Sequence, residues 1–98
     1  MEKISKQNVL AKLRALKPEL SARYRVKQLE LFGSVVREKQ HGKSDIDLLV
    51  EFTEDADMFD LVGLGLFLEE RLHRKVDVVP KRALRAEFHS ALAEAIVI

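Results

Sequence analysis

The stretch Asp45 to Phe52, DIDLLVEF, constrains the fold more than any other part of the chain, because its pattern suits a strand. Residues two apart in a strand point to the same side of a sheet, so Asp45 and Asp47 project together while Ile46, Leu48 and Val50 face the other way. One face then calls for apolar cover, and the other holds two carboxylates in one small volume. Like charges placed so close are costly unless a cation or hydrogen-bond donors offset the repulsion. A divalent metal is the simplest offset.

The residues before this strand supply a complementary feature. Val26 to Phe32 shows an imperfect two-residue period and stops at Gly33, which predicts a first strand ending in a glycine–serine pair, Gly33-Ser34. Glycine at a strand end lets backbone approach a phosphate closely. A short helix from Ser34 to Gln40 would offer free N–H groups and a positive dipole end. Arg37, one turn on, could bring paired donors to the same anion. A surface pairing of Arg37 with Glu38 or Glu30 is the alternative, and a plain capped turn is the alternative for Gly33-Ser34 taken alone.

A third carboxylate, Asp77, interrupts the apolar run Val76-Asp77-Val78-Val79. Neighbouring strands lie about 4.8 Å apart, so pairing of this strand beside the first acidic one gathers Asp45, Asp47 and Asp77. Oxygen-only ligands suit Mg²⁺ or Mn²⁺, whose shells are completed by water and substrate phosphates. A nucleotide is the substrate that this combination implies.

The rest of the chain reads as a mixed α+β protein. Ser5 is a plausible N-cap, and Val9, Leu10, Leu13 and Leu16 recur at helical spacing, predicting a helix that ends before Pro18. Pro18 opens a second, short helix to Tyr24, and His41 to Ser44 is a polar turn. Met58 to Leu72 predicts a strongly apolar helix, Val76 to Val79 a strand stopped by Pro80, and Leu84 to Ala95 a last helix. In the Met58–Leu72 helix the apolar residues cover more than one stripe, so part of it should face a partner or a sister subunit. Gly63 and Gly65 within it mark either a close helix contact or a local break.

Composition removes several function classes. With 98 residues the chain is read as one domain, residues 1–98, since a chain this size buries only roughly 60–70% of its unfolded surface. Its 17 basic residues are balanced by 16 acidic ones, which argues against direct nucleic-acid binding. There is no cysteine, hence no disulfide framework and no thiolate metal site. No apolar run approaches the roughly 20 residues that span a bilayer, and MEKISKQNVL lacks a secretory pattern, so a cytoplasmic location is expected.

His41, His73 and His89 lack ligand spacing and are read as solvent-facing. Lys81, Arg82 and Arg85 read as a solvated helix start, with contact to an acidic partner or RNA as the alternative. Met58 and Phe59 are read as core residues, and Tyr24, the only tyrosine, as a packing residue, with a self-modification site as the alternative.

Gly33-Ser34, ten intervening residues and Asp45-Ile46-Asp47, followed by Asp77, resemble the signature of the polymerase-beta-like nucleotidyltransferases. More narrowly, "LFGS", "SDIDLLVEF" and "DLVGLGLFLEERLHRKVDVV" are similar to the minimal nucleotidyltransferase antitoxins that pair with a HEPN-domain toxin. The resemblance runs from about Leu29 to Val79. It implies the polymerase-beta-like fold, here a small mixed sheet of three or four strands flanked by helices.

It also implies two Mg²⁺ ions, with Mn²⁺ an alternative, and ATP as substrate. AMP would pass to a tyrosine hydroxyl of the HEPN toxin, an RNase, and so silence it. Gly33 and Ser34 would hold the triphosphate. Asp45 and Asp47 would bind metal, and Asp77 would bind metal and accept the attacking proton. Two departures stand out: Val35 occupies a position where many relatives carry a basic residue, and Glu38 one where glycine often follows the second arginine. They favour a rival reading, an antitoxin of the same fold that neutralises its partner by binding alone. A stand-alone enzyme acting on small molecules is disfavoured, since no second domain is left to form the pocket.

Overall fold

The computed structural model describes residues 5–33, 35–36, 45–83 and 94–98. In chain order the elements are α1 (Lys6–Tyr24), β1 (Val26–Phe32), β2 (Ile46–Phe52), α2 (Met58–Leu72), β3 (Val76–Pro80), a short 3₁₀ turn (Lys81–Ala83) and β4 (Ile96–Val97). The expected helices at Ser34–Gln40 and Leu84–Ala95 lie largely outside the described residues, and Val35 and Val36 sit in a turn.

The four strands form one mixed sheet in the order β3-β2-β1-β4. β1 runs antiparallel to β2 and to β4, whereas β2 and β3 are parallel. The end of β1 and the starts of β2 and β3 therefore meet at one end of the sheet. On one face Leu29, Leu31, Ile46, Leu48 and Val50 are fully buried, with Val9, Leu13, Leu20, Leu64 and Leu68 from the two helices completing the same core. Burying a side chain of this kind is worth about 1.5–3 kcal/mol, which is why the alternation in β2 fixes which face carries the helices.

α1 corrects one expectation: the helix passes through Pro18 and continues to Tyr24. Proline inside a helix removes one hydrogen bond and crowds the preceding turn, at a cost of about 3 kcal/mol. Pro18 and Arg14, whose carbonyl loses its partner, are both exposed residues, while Leu20 beyond them is fully buried. Packing of Leu13 and Leu20 on one face outweighs the local break. Ser5 caps the helix by accepting from Asn8 N at 3.0 Å.

Arg25 ends α1 in the left-handed region, φ 58°, with its N–H donating to Leu20 O. Three contacts hold it there. Thr53 N donates to Arg25 O at 2.9 Å, and the guanidinium reaches Asp55 at 3.1 Å and Asp60 at 3.0 Å. Asp60 is the one buried charged residue among those described, and it also closes the capping box of α2: Asp57 N donates to Asp60 and Asp60 N to Asp57. The Asp57 N–H, with Arg25, holds the Asp60 carboxyl below its ordinary value, and the Thr53 hydroxyl does the same for Asp55.

α2 is continuous through its two glycines, and it corrects the core reading of Met58 and Phe59: both are exposed, because the core is met by Leu64, Phe67, Leu68 and Leu72 on the other side of the helix. A methyl at Gly63 would come within 2.9 Å of the Tyr24 ring, so Gly63 is the point where α1 and α2 approach closely. Tyr24 stacks at a tilt on Phe67, with ring centroids 5.5 Å apart, which makes it the packing residue that the sequence suggested. No helix among the described residues is long and apolar enough to cross a membrane.

Candidate active site

The sheet register decides which acidic residues are neighbours. Phe32 is opposite Asp47 across the β1–β2 ladder, and Asp47 is opposite Asp77 across the β2–β3 ladder. Asp47 thus stands mid-row, with the end of β1 on one side and Asp77 on the other. Its face of the sheet is the one turned away from α1 and α2, as the burial of Ile46 and Leu48 on the helix side requires. Asp45 directly precedes β2 and shares that parity. A hydrogen bond from Ile46 N to Lys75 O, 2.9 Å, ties the starts of β2 and β3 together just below the row.

Gly33 leaves β1 with φ 81°, a conformation open to glycine and strained for other residues. A Cβ there would overlap the Asp47 carboxylate, striking Oδ2 and lying 3.0 Å from Cγ. The missing side chain at Gly33 is thus a condition for the position that Asp47 occupies. This geometric link between residues fourteen apart adds to the phosphate approach inferred from the sequence.

The three aspartates differ in exposure: Asp45 and Asp47 are half-buried and Asp77 is exposed. The backbone brings them to one end of the sheet. Among the described residues, however, no three acidic or histidine side chains are gathered tightly enough to form a metal site. Mg²⁺ commonly takes only one or two carboxylates and fills its shell with water and phosphate, so the cross-strand pair Asp47 and Asp77 fits such an ion by donor type and placement. Ser34 and Arg37, the other expected phosphate contacts, lie outside the described residues.

Val35 is fully buried and belongs to the core. Its apolar character answers a packing demand, so it does not argue for a site that has lost its chemistry. Burial of a side chain three residues past a strand end is the kind of feature that sequence spacing alone does not disclose. The buried Asp60 was also absent from the sequence reading, although the Asp57-x-x-Asp60 spacing ahead of an apolar run is a capping signal.

Two clefts flank the sheet ends. An open one of about 390 Å³, lined by Glu69, His73, Arg74 and Lys75, lies at the turn that leads into β3 and hence near the aspartates. The other, about 210 Å³, is formed by residues between Val50 and Glu54 with Pro80, Lys81 and Arg82, at the opposite end. Of these two, the first lies nearer to Asp77 along the chain, although none of the three aspartates lines it.

Comparison with known proteins identifies the family and agrees with the fold. Residues 13–98 match the family model described as a nucleotidyltransferase domain. The protein adenylyltransferase MntA of Thermococcus cleftensis is 34% identical over 86 residues, covering 88% of this chain and 87% of the relative. A Methanocaldococcus jannaschii protein named as a protein adenylyltransferase is 42% identical over 72 residues, 74% of this chain and 84% of the relative. Among solved structures, one described as a minimal nucleotidyltransferase superposes with a TM-score of 0.81 at 34% identity, over 98% of both chains. A toxin–antitoxin structure with AMP-PNP shares the fold, with a TM-score of 0.67 at 23% identity over 96% of this chain and 72% of that one.

Proposed function

Because the chain belongs to the nucleotidyltransferase domain family, we propose that it is the antitoxin of a toxin–antitoxin pair, transferring AMP from ATP to a tyrosine hydroxyl of a HEPN-domain RNase and so inactivating it. The observation that carries this reading is the row Gly33, Asp47 and Asp77 at one sheet end, with Gly33 kept bare against the Asp47 carboxylate. Relatives named as protein adenylyltransferases support a protein acceptor. A solved structure of an AMPylated Shewanella oneidensis HEPN toxin in complex with an MNT antitoxin, similar to this chain in fold with a TM-score of 0.57, supports the class of partner.

In the reaction, the tyrosine oxygen forms a bond to the α-phosphorus, and the bond between that phosphorus and the bridging oxygen to the β-phosphate breaks. Pyrophosphate leaves with the bonding electrons. Asp77, the most exposed of the three carboxylates, takes the phenolic proton. Asp45, Asp47 and Asp77 are the residues that would hold Mg²⁺, with Mn²⁺ as a substitute; two such ions, when bound, lower the pKa of the attacking hydroxyl and stabilise charge on the leaving group. Gly33, with Ser34 and Arg37, holds the triphosphate. Phosphoryl transfer leaves the protein mostly positioning and charge neutralisation to perform, which a small sheet with one acidic row can supply.

The test is label transfer from α-labelled ATP with Mg²⁺ to a co-purified HEPN protein, beside Asp47→Ala. Label with the parent and none with the variant supports transfer at these aspartates. Absence of label, with the RNase still silent in the complex, would replace this reading by neutralisation through binding alone.

A further inference from the structure

Helix α2 carries a second apolar face that the core does not use. Its buried residues Leu64, Phe67, Leu68 and Leu72 point to the sheet and α1, whereas Met58, Phe59, Val62 and Leu66 lie on the opposite side. Their exposures are 69%, 86%, 54% and 63%, so four large side chains form one water-facing patch over the first turns of the helix. An isolated exposed apolar residue needs no explanation, but a contiguous patch of this kind marks an interaction surface.

We infer that this face pairs with the same face of a second copy of the chain, the two α2 helices running antiparallel about a two-fold axis near Val62 and Gly63. Three observations select that occupant. First, the patch is self-complementary: antiparallel pairing sets Phe59 against Leu66 of the second copy on both sides of the axis, as an isologous contact requires. Second, the charges flanking it are of opposite sign at its two ends. Exposed Glu54 and Asp57 precede the helix together with Asp55, which Arg25 partly neutralises, while Arg71, Arg74 and Lys75 outnumber Glu69 and Glu70 at its close. Antiparallel pairing joins acidic end to basic end twice; parallel pairing would set like against like.

Third, the patch lies on the other side of the sheet from the row of Asp47 and Asp77. A protein delivering its hydroxyl to that row has no need of this face, whereas a second copy seated on it leaves both rows open. In size, a phenylalanine alone buries about 150–250 Å², so the two Phe59 side chains with the smaller Met58, Val62 and Leu66 of both copies and their neighbours come near, without clearly passing, the lower bound of about 1,200 Å² for stable interfaces. The association is therefore expected to be weak, in the micromolar range.

The test is sedimentation equilibrium of the whole chain up to about 100 µM. The parent is expected to dimerise, and Phe59→Asp to weaken dimerisation at least tenfold. Phe59 is almost fully exposed, so the substitution should leave the circular dichroism spectrum unchanged; Val62→Arg provides an independent second variant. The chain has no cysteine, so single cysteines report geometry cleanly. Val62→Cys should give a covalent dimer with a short bismaleimide. Glu70→Cys should not, because antiparallel pairing at 1.5 Å rise per residue places those sites roughly 20 Å apart along the axis. A parent that stays monomeric overturns the inference, as does equal crosslinking at both cysteines. A monomeric parent whose Phe59→Asp variant fails to co-purify with a HEPN protein would assign the face to that partner instead. None of these readouts depends on nucleotide transfer.

Discussion

Gly33→Ala is the substitution that most directly probes how fold and site are joined. An L-residue at φ 81° is strained by about 1–2 kcal/mol, before any contact is considered. The new methyl would also occupy the space of Asp47 Oδ2, and the nearest alternatives, Asp47 Cγ and Cβ at 3.0 and 3.1 Å, leave it no room. Asp47 sits within a ladder on both sides, so the carboxylate must rotate away or the end of β1 must move by about an ångström. The stability cost in urea unfolding should exceed the about 1–2 kcal/mol of the backbone term alone, which by itself lowers Tm by roughly 4–16 °C in a domain of this size.

The larger effect should be on rate, since a misplacement of about 1 Å at a reacting centre costs about 100-fold. Initial rates of label transfer, measured well below the unfolding transition, separate the two losses. Transfer within threefold of the parent would refute the coupling of Gly33 to the Asp47 carboxylate.

Gly63→Ala serves as a contrasting case: the methyl meets the Tyr24 ring at 2.9 Å, so urea unfolding should show a loss of about 1–3 kcal/mol with the transfer rate per folded molecule unchanged. Asp77→Asn should lower transfer by at least 100-fold while leaving the urea midpoint at or above that of the parent, because one of two neighbouring like charges is removed. The Asp60 carboxyl is held below its ordinary value near 3.8 in the folded state, so its stabilising contribution is full above that value and is lost as pH falls through the lower, folded-state pKa. Asp60→Asn should therefore flatten the acid limb of a stability profile taken between about pH 5 and 2. Arg25→Ala should lower the urea midpoint at neutral pH, since it strips the guanidinium from both Asp55 and Asp60.

What the sequence disclosed follows from where packing is periodic. β1, β2 and α2 are each bounded by glycine, polar turns or a capping acid; β2 shows its helix-facing side in the spacing of Ile46, Leu48 and Val50, whereas β1 is irregular between Val26 and Gln28 and α2 is apolar on more than one stripe. α1 was misread at Pro18 because the local cost of proline is visible in a sequence and the burial of Leu20 beyond it is not. β4 is only two residues long and exists through pairing with the edge of β1, so it carries no period to read. In the site, the row of Asp45, Asp47 and Asp77 was legible as strand parity. The contact between Gly33 and Asp47 was not, since it depends on a β1–β2 register that contains an irregularity between Val26 and Gln28.

The parallel pairing of β2 with β3 also carries a consequence for the time course of assembly. Antiparallel β1 and β2 meet across a short stretch of chain, but Asp77 reaches Asp47 only after the chain has passed through all of α2 and returned. Closing that longer loop costs more entropy and belongs to a later stage of folding. A chain that has formed its hairpin but not yet docked β3 holds Gly33 beside Asp47 and lacks the third carboxylate. Competence of the acidic row is thus reached last, when the least local contact in the sheet closes, and refolding followed by activity should lag refolding followed by β1–β2 hydrogen-exchange protection.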